Sequence, residues 1–400
     1  MARGAGGTRE NGVSSSSAMP TSVEAVIEQV REAHDRGTPL RVVGSGTWLD
    51  AGRPCTATAA LHLGTVRGII AYEPGDLTLT ALGGTTLAEI ESATAAEGQW
   101  LTLDPFGAPN GTLGATVASS SWGPLASAFG TPRDHVLGCE FVTGAGDLVR
   151  AGGRVVKNVA GFDLVRLVTG AWGTLGALTE ITVRLRARPE LDRTLIVTID
   201  DSSPSDVAHT GWRWLRASDF TPLAAELLSP ALSAALGLER RSCLAVRLGG
   251  NEAYVHAATE ALAQVGELRE APVELWPTLA QSEPVAAMTL RLSALPSRAG
   301  VLWDHAVTLA ERHGGAAHAT LVRGVVRCIL PANDDLTLFN ELSRSIATPP
   351  EGITMVGERL PAALWPVLDR DRSIATLSDR VRDAFDPAHI MNPATVGAAT

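Results

Sequence analysis

The stretch GGRVVKNVAGFDLVRLVTGAWGTLGALTE, residues 152–180, decides the fold. Six of its twenty-nine residues are glycine, at 152, 153, 161, 170, 173 and 176, about three times the usual share of roughly 7%. They bracket apolar residues at helix-like spacing, Val159, Phe162, Leu164, Val165, Leu167 and Val168, and an alternating segment follows from Leu178 to Leu185. Alternation of apolar and polar residues marks a strand with one buried face. The pattern predicts a loop, a short helix, a glycine turn and a strand. An ordinary glycine-rich turn between a helix and a strand is the plain alternative.

Upstream, 136–142 and 148–151 read as strands joined by Gly144-Ala145-Gly146-Asp147, a hairpin with turn chemistry in place. Before them, an Asp104-Pro105 turn leads to Gly111-Thr112-Leu113-Gly114-Ala115, a glycine loop opening a helix whose first amides can face an anion. Strands at 69–72 and 77–82, a Pro74-Gly75-Asp76 turn and a helix at 86–96 precede it. The short strand 40–43 runs straight into Gly44-Ser45-Gly46-Thr47-Trp48. Successive N–H groups of such a loop form a concave anion site, although a plain turn explains this loop equally well when it is taken alone. Thr21 is expected to cap a helix carrying Val23, Val26, Ile27 and Val30, and residues 1–20, rich in Gly and Ser, read as a disordered tail.

Downstream the character changes, with Trp212, Trp214, Trp276, Trp303 and Trp365 and fewer glycine loops. Strands at 193–199, 243–248, 287–292 and 322–330 alternate with helices at 205–215, 253–265, 299–312 and 336–347. An antiparallel sheet covered on one face by helices is the simplest packing of that order. His313 and His318 stand five apart across two glycines, which does not place both rings on one helix face, and no neighbouring acid completes a metal set, so no metal site is expected. Arg323 and Arg327 are placed on one strand face, where either can grip a carboxylate in bidentate fashion or simply meet solvent.

Four hundred residues with 45% hydrophobic content hold two or three domains. A net charge of −10 without a Lys/Arg block argues against a nucleic-acid surface. Cys55, Cys139, Cys243 and Cys328 form no CxxC pair, so neither iron–sulfur nor zinc ligation is offered, and they read as core thiols of a reducing compartment. No run of 18 apolar residues occurs, and no secretory leader is read at the N-terminus. The cytoplasm is the expected compartment, with membrane association only through partners.

Three segments carry a resemblance: KNVAGFDLVRLVTGAWGTLGALTEITVRL at 157–185, YEPGDLTLTALGGTTLAEI at 72–90 and FDPAHIMNP at 385–393. Together they resemble the FAD-binding domain of the vanillyl-alcohol-oxidase and p-cresol-methylhydroxylase (PCMH) superfamily, and within it the FAD-binding subunit of glycolate oxidase. The resemblance implies an α+β fold: a PCMH-type FAD-binding domain of two α+β subdomains at 21–190, an antiparallel cap domain covered by helices at 191–375, and a tail at 376–400 that returns to the FAD domain. It implies a pyrophosphate loop at Gly44, Ser45, Gly46, Thr47 and Trp48. Pro105, Thr112, Gly114 and Ala115 would line the isoalloxazine and pyrophosphate, with Gly130 and Arg133 near the cofactor. Lys157, Asn158, Gly161, Asp163, Gly173, Thr174 and Gly176 are carried over from the longest segment, and Asn392 from the tail, where Ala394 replaces the usual glycine. Glycines suit a nucleotide laid along the backbone because they add no Cβ and accept positive φ. The loop offers no histidine, and no cysteine matches, for a covalent flavin bond, so non-covalent FAD is implied.

The function implied is the FAD-binding subunit of a glycolate-oxidase-like dehydrogenase complex. FAD would take a hydride equivalent from a 2-hydroxy acid, and electrons would pass to an iron–sulfur subunit beside a substrate-oxidising flavoprotein subunit. The turn Gly170-Ala171-Trp172-Gly173 lacks the acidic residue of the substrate-oxidising relative, which favours the companion role. One rival is a stand-alone FAD-dependent alcohol or sugar oxidase with His318 as its base, the weak catalytic candidate. Another is a non-catalytic assembly subunit. A partner-binding subunit is expected to expose an apolar patch, with the cap tryptophans as its place.

Overall fold

The computed structural model describes residues 19–153, 162–199, 203–272, 274–284, 286–331, 336–368 and 375–395. The expectations for the tail at 1–18 and for Lys157, Asn158 and Gly161 lie outside the described residues.

The first helix, Val23–Arg36, is capped by Ser22 rather than Thr21: the Ser22 side chain accepts from Ala25 N, and Gly37 at φ 60° ends the helix. Serine is the residue in extended backbone one position before the first turn, and that geometry makes a cap. Val26, Val30 and Ala33 lay the helix against a small core with Leu40, Leu61, Ile390 and Met391. There the strand Leu40–Val43 pairs in parallel with Ala59–His62.

A second unit is a five-stranded antiparallel sheet of Ile69–Glu73, Thr78–Leu82, Ala177–Arg184, Val136–Val142 and Leu148–Gly152, in that spatial order. The central strand Ala177–Arg184 is buried along both faces, not one. Its Leu178, Ile181 and Val183 share a core with Ile90, Leu113 and Val117, residues of the helices Leu87–Ala95 and Leu113–Ser119. Thr80 and Thr182 hydrogen-bond within the sheet at 2.9 Å, which satisfies the polar groups that the alternation places inside.

The remaining sheet has eight strands, all paired antiparallel, beginning at Leu191–Thr198 and ending at Thr354–Arg359. One face packs on the helices Pro204–Ala217, Glu252–Leu262 and Ala299–Arg312 through Val207, Ala258, Trp303 and Val307. The other face is not bare. The short helices Pro230–Ala235 and Leu275–Ala280 cover part of it together with Phe106, which comes from the N-terminal half. The apolar patch expected around the cap tryptophans is absent among the described residues, because Trp303 is fully buried, Trp365 is 7% exposed, and Trp212, Trp214 and Trp276 pack against cores.

A helix from Ala375 to Phe385 brings the chain back to the first unit. Asp386, fully buried, accepts from Ile390 N at 3.0 Å and Met391 N at 2.8 Å. Ile390–Asn392 then lies beside the strand Leu40–Val43, with Leu40 N donating to Ile390 O at 2.7 Å and Asn392 N to Leu40 O at 2.9 Å.

Candidate functional site

The strand Leu40–Val43 is held on both edges, so the loop that leaves it starts from a fixed point. Among the described residues, Ser45, Gly46 and Thr47 donate no backbone hydrogen bond to a protein group, while the Ser45 hydroxyl donates to Asn110 O at 2.7 Å. Gly46 stands at φ 76°, a conformation that side chains with a Cβ rarely adopt. Gly44 lies flat on Thr112, since a Cβ there would come within 2.4 Å of the Thr112 hydroxyl.

The facing wall is the helix Leu113–Ser119, capped by Thr112, whose hydroxyl accepts from Ala115 N at 3.3 Å. Its first amides do not face an anion as the sequence suggested. Leu113 N donates to Thr85 O and Gly114 N to Gly83 O, both at 2.8 Å. Gly114 is needed for packing: a Cβ would sit 2.7 Å from Gly83 O.

The turn at 170–173 is bonded to the end of the same helix, Gly170 N to Val117 O at 3.0 Å and Trp172 N to Ala118 O at 2.8 Å. This holds Trp172 at φ 54° and stacks it on Trp48 with ring centroids 6.0 Å apart. Asn392 closes the end of the cleft, accepting from Val42 N at 2.7 Å and donating to Trp172 O at 2.6 Å.

The result is a groove of about 1120 Å³, mouth included, lined by Gly44, Ser45, Gly46, Thr47, Trp48, Pro105, Thr112, Gly114, Ala115, Gly173, Gly176 and Asn392. Other expected residues lie elsewhere. Gly130 packs on the Asp134 side chain. Arg133 donates to Thr169 O at 3.3 Å. Asp163 is an exposed helix cap accepting from Arg166 N at 3.0 Å, and the Thr174 hydroxyl donates to Ala171 O at 2.7 Å within its turn. These four shape the neighbouring turns but do not line the groove. Arg41, Gly83, Phe106 and Trp172 do line it and went unread. Trp172, inside the deciding stretch, carried the nearest signal: a bulky residue between two glycines of a turn.

The groove shares Trp48, Arg53, Phe106 and Trp172 with a second cavity of about 1010 Å³ reaching under the eight-stranded sheet. Strand periodicity explains its polarity. Ala225 and Leu227, Ala317 and Ala319, Val326 and Cys328 point into the helical core, so Glu226, His318, Thr320 and Arg327 take the opposite face, toward the N-terminal half. His318 and Glu226 are 1% and 0% exposed. Glu226 stands 2.8 Å from His318 Nδ1 and accepts from the Thr320 hydroxyl. His318 thus has the neighbouring acid that sequence spacing did not reveal. Its Nε2 is buried without a partner among the described residues, as is Trp48 Nε1. Phe106 packs against the imidazole at 4.9 Å between centroids.

Arg323 and Arg327 do not share a strand face. Arg323 sits in the 3-10 turn Leu321–Arg323, donating to Ala126 O at 3.0 Å, with its guanidinium over Trp122. Arg327 is enclosed by Glu283 and Glu358. Burial works to raise the Glu283 carboxyl, but Arg327 and Arg359 outweigh it and hold it below the usual carboxylate range. With two carboxylates already on it, Arg327 is a structural ion pair rather than an anion receptor. The network reaches the N-terminal half, Arg359 pairing with Asp50 at 3.4 Å and Gly52 N donating to Glu358 O at 2.7 Å. Beneath this face, burial pushes the Asp104 carboxyl up to about 7, against the amides of Leu125 and Gly123 and the charge of Arg247.

Residues 16–152 match the model of a family described as an FAD binding domain. The chain is 42% identical over 174 residues to the glycolate oxidase subunit GlcE of Escherichia coli (strain K12), covering 43% of this chain and 49% of that one. It is 31% identical over 183 residues to the glycolate oxidase subunit GlcD of Bacillus subtilis (strain 168), covering 46% and 39%. The matches thus span about half or less of these relatives. A solved structure of alkyldihydroxyacetonephosphate synthase superposes with a TM-score of 0.66 at 15% identity, over 94% of this chain and 75% of that one, which shows the shared fold. The chain therefore carries a segment similar to FAD binding domains and to glycolate oxidase subunits, and shares the fold of the synthase. Among the described residues no helix is long and apolar enough to cross a membrane.

Proposed function

We propose that this chain is an FAD-dependent oxidoreductase subunit of the glycolate-oxidase type, acting within a complex that oxidises a 2-hydroxy acid and passes electrons to an iron–sulfur partner. The observation that carries the reading is the groove of the Gly44–Trp48 loop, which opens between Trp48, Phe106 and Trp172 into the His318 cavity.

FAD fits the residues present. A pyrophosphate accepts hydrogen bonds and cannot donate them, and the loop presents the amides of Ser45, Gly46 and Thr47 with no acceptor among the described residues. The buried Trp48 Nε1 lacks a partner on the same wall. Gly44, Ser45, Gly46, Thr47 and Asn392 would hold the dinucleotide, and the groove lining offers no His or Cys for a covalent flavin bond. When bound, FAD supplies the two-electron acceptor for an alcohol C–H bond. On the protein side, His318 Nε2 is the group placed to take the hydroxyl proton. The four cysteines are free and apart, so clusters belong to another chain, and the GlcE likeness favours a complex.

A second reading, a stand-alone FAD-dependent alcohol oxidase, gains from Glu226 behind His318, which gives this chain a complete proton-accepting pair of its own. Purification from the native source separates the two. The complex reading expects a flavin spectrum and co-purified iron–sulfur protein. A lone chain that releases peroxide stoichiometrically with 2-hydroxy acid consumption overturns it in favour of the oxidase, and a colourless chain overturns both.

A further inference from the structure

The pair Glu226 and His318 has a geometry that reaches beyond the presence of a histidine near the flavin groove. The register Leu227↔Ala319 and Leu228↔His318 sets Glu226 across from Thr320. One carboxylate oxygen then meets the Thr320 hydroxyl and the other stands 2.8 Å from His318 Nδ1. Glu226 is fully buried. An ionised carboxylate only accepts hydrogen bonds, and a neutral imidazole has a single N–H.

We infer that Glu226 is a positioning residue that fixes the proton of His318 on Nδ1, so that Nε2 faces the cap cavity as a hydrogen-bond acceptor for a ligand hydroxyl. Three observations meet in this assignment. Glu226 already accepts from the Thr320 hydroxyl through one oxygen, which leaves its other oxygen to accept at His318 Nδ1. Nε2 is buried and has no partner among the described protein groups, and leaving a buried polar atom without a partner is costly. The residue lines a cavity that adjoins the glycine groove, so the missing donor can come from a ligand. Phe106 packs against the imidazole with ring centroids 4.9 Å apart and planes tilted by 48°. The nearby Arg327 does not compete for the carboxylate, being bonded to Glu283 and Glu358.

The functional meaning rests on the oxidoreductase reading above: the ligand class is an alcohol, and the atom that receives its proton is Nε2. The test does not rest on that reading. In the full chain labelled with 15N-histidine, the His318 signals, assigned by their loss in His318→Gln, are recorded in two-bond 1H–15N spectra from pH 6 to 9. The expected result is a protonated Nδ1 throughout and a bare Nε2 in the neutral ring. Glu226→Leu removes the acceptor and is expected to move the proton to Nε2. Glu226→Gln keeps an amide oxygen for Nδ1 and is expected to restore the wild-type pattern. A wild-type ring with its proton on Nε2, a ring still doubly protonated at pH 9, or a Glu226→Leu ring identical to wild type would each overturn the inference. Should the leucine variant fail to fold, the wild-type spectrum decides alone. The spectrum is independent of flavin content, so a chain without FAD would sink the oxidoreductase reading and leave this assignment standing.

Discussion

Replacing Asn392 by alanine should loosen the glycine groove from behind. The side chain makes two hydrogen bonds, to Val42 N at 2.7 Å and Trp172 O at 2.6 Å, each worth about 0.5–1.5 kcal/mol net. Asn392 also stands at φ 42°, where asparagine is tolerated and alanine costs about 1–2 kcal/mol. The sum is about 2–5 kcal/mol. The loss is local, because Val42 leads into the glycine loop and Trp172 lines the same groove. If half of it falls on the flavin-bound state, the FAD dissociation constant rises about tenfold for each 1.4 kcal/mol. Fluorescence titration of apoprotein with FAD, beside urea unfolding, measures both. Asn392→Gly removes the same hydrogen bonds without the backbone penalty and should recover about 1 kcal/mol relative to alanine. Wild-type FAD affinity and unfolding midpoint in the alanine variant would refute the reasoning, as would a glycine variant weaker than the alanine one.

Gly46→Val is expected to abolish FAD retention while the far-ultraviolet circular dichroism stays native, since φ 76° excludes a β-branched residue although a Cβ itself would meet Leu49 and Val43 only at ordinary contact distance; a variant purified with full visible flavin absorbance would count against the loop. Acid precipitation should release the flavin into the supernatant, and yellow pellet would contradict non-covalent binding. For Asp104, the folded carboxyl is raised from 3.8 to about 7, so its contribution to stability is fully present below the unfolded value and is lost as pH rises through about 7. The loss is up to about 4 kcal/mol. Urea midpoints from pH 5 to 9 should fall for wild type and fall less for Asp104→Asn; parallel curves would refute the assignment.

The helices 299–312 and 336–347 were legible to the residue because long apolar periods carry their own signal. The strand Ala224–Leu228 was missed, since a five-residue run buried on both faces shows no alternation. With it went Glu226. Its partnership with His318 joins residues 92 apart in sequence and depends on sheet register, which no local pattern encodes. The glycine loops were legible as loops, but not the division of labour between them. At Ser45–Thr47 the amides have no partner among the described residues, whereas at Gly114 the amide is taken by Gly83 O in close packing. Glycine composition is the same in both cases. Asn392 was reachable only through the resemblance of the tail.

The bond between Val42 and Asn392 spans 350 residues, and this separation reaches into biosynthesis. At about 5–20 residues per second, roughly 20 to 70 s pass between translation of the first strand and of the segment that pairs with it. During that interval the nascent N-terminal half carries an open edge on the strand Leu40–Val43, while the residues of the eight-stranded sheet have already emerged. The groove is complete only when Ile390–Asn392 docks, so on the proposed function flavin capture would follow release of that segment. Appending a slow-folding partner at the C-terminal end or starving the cell of flavin should then act on the same late species, one whose first strand is still unpaired along one edge.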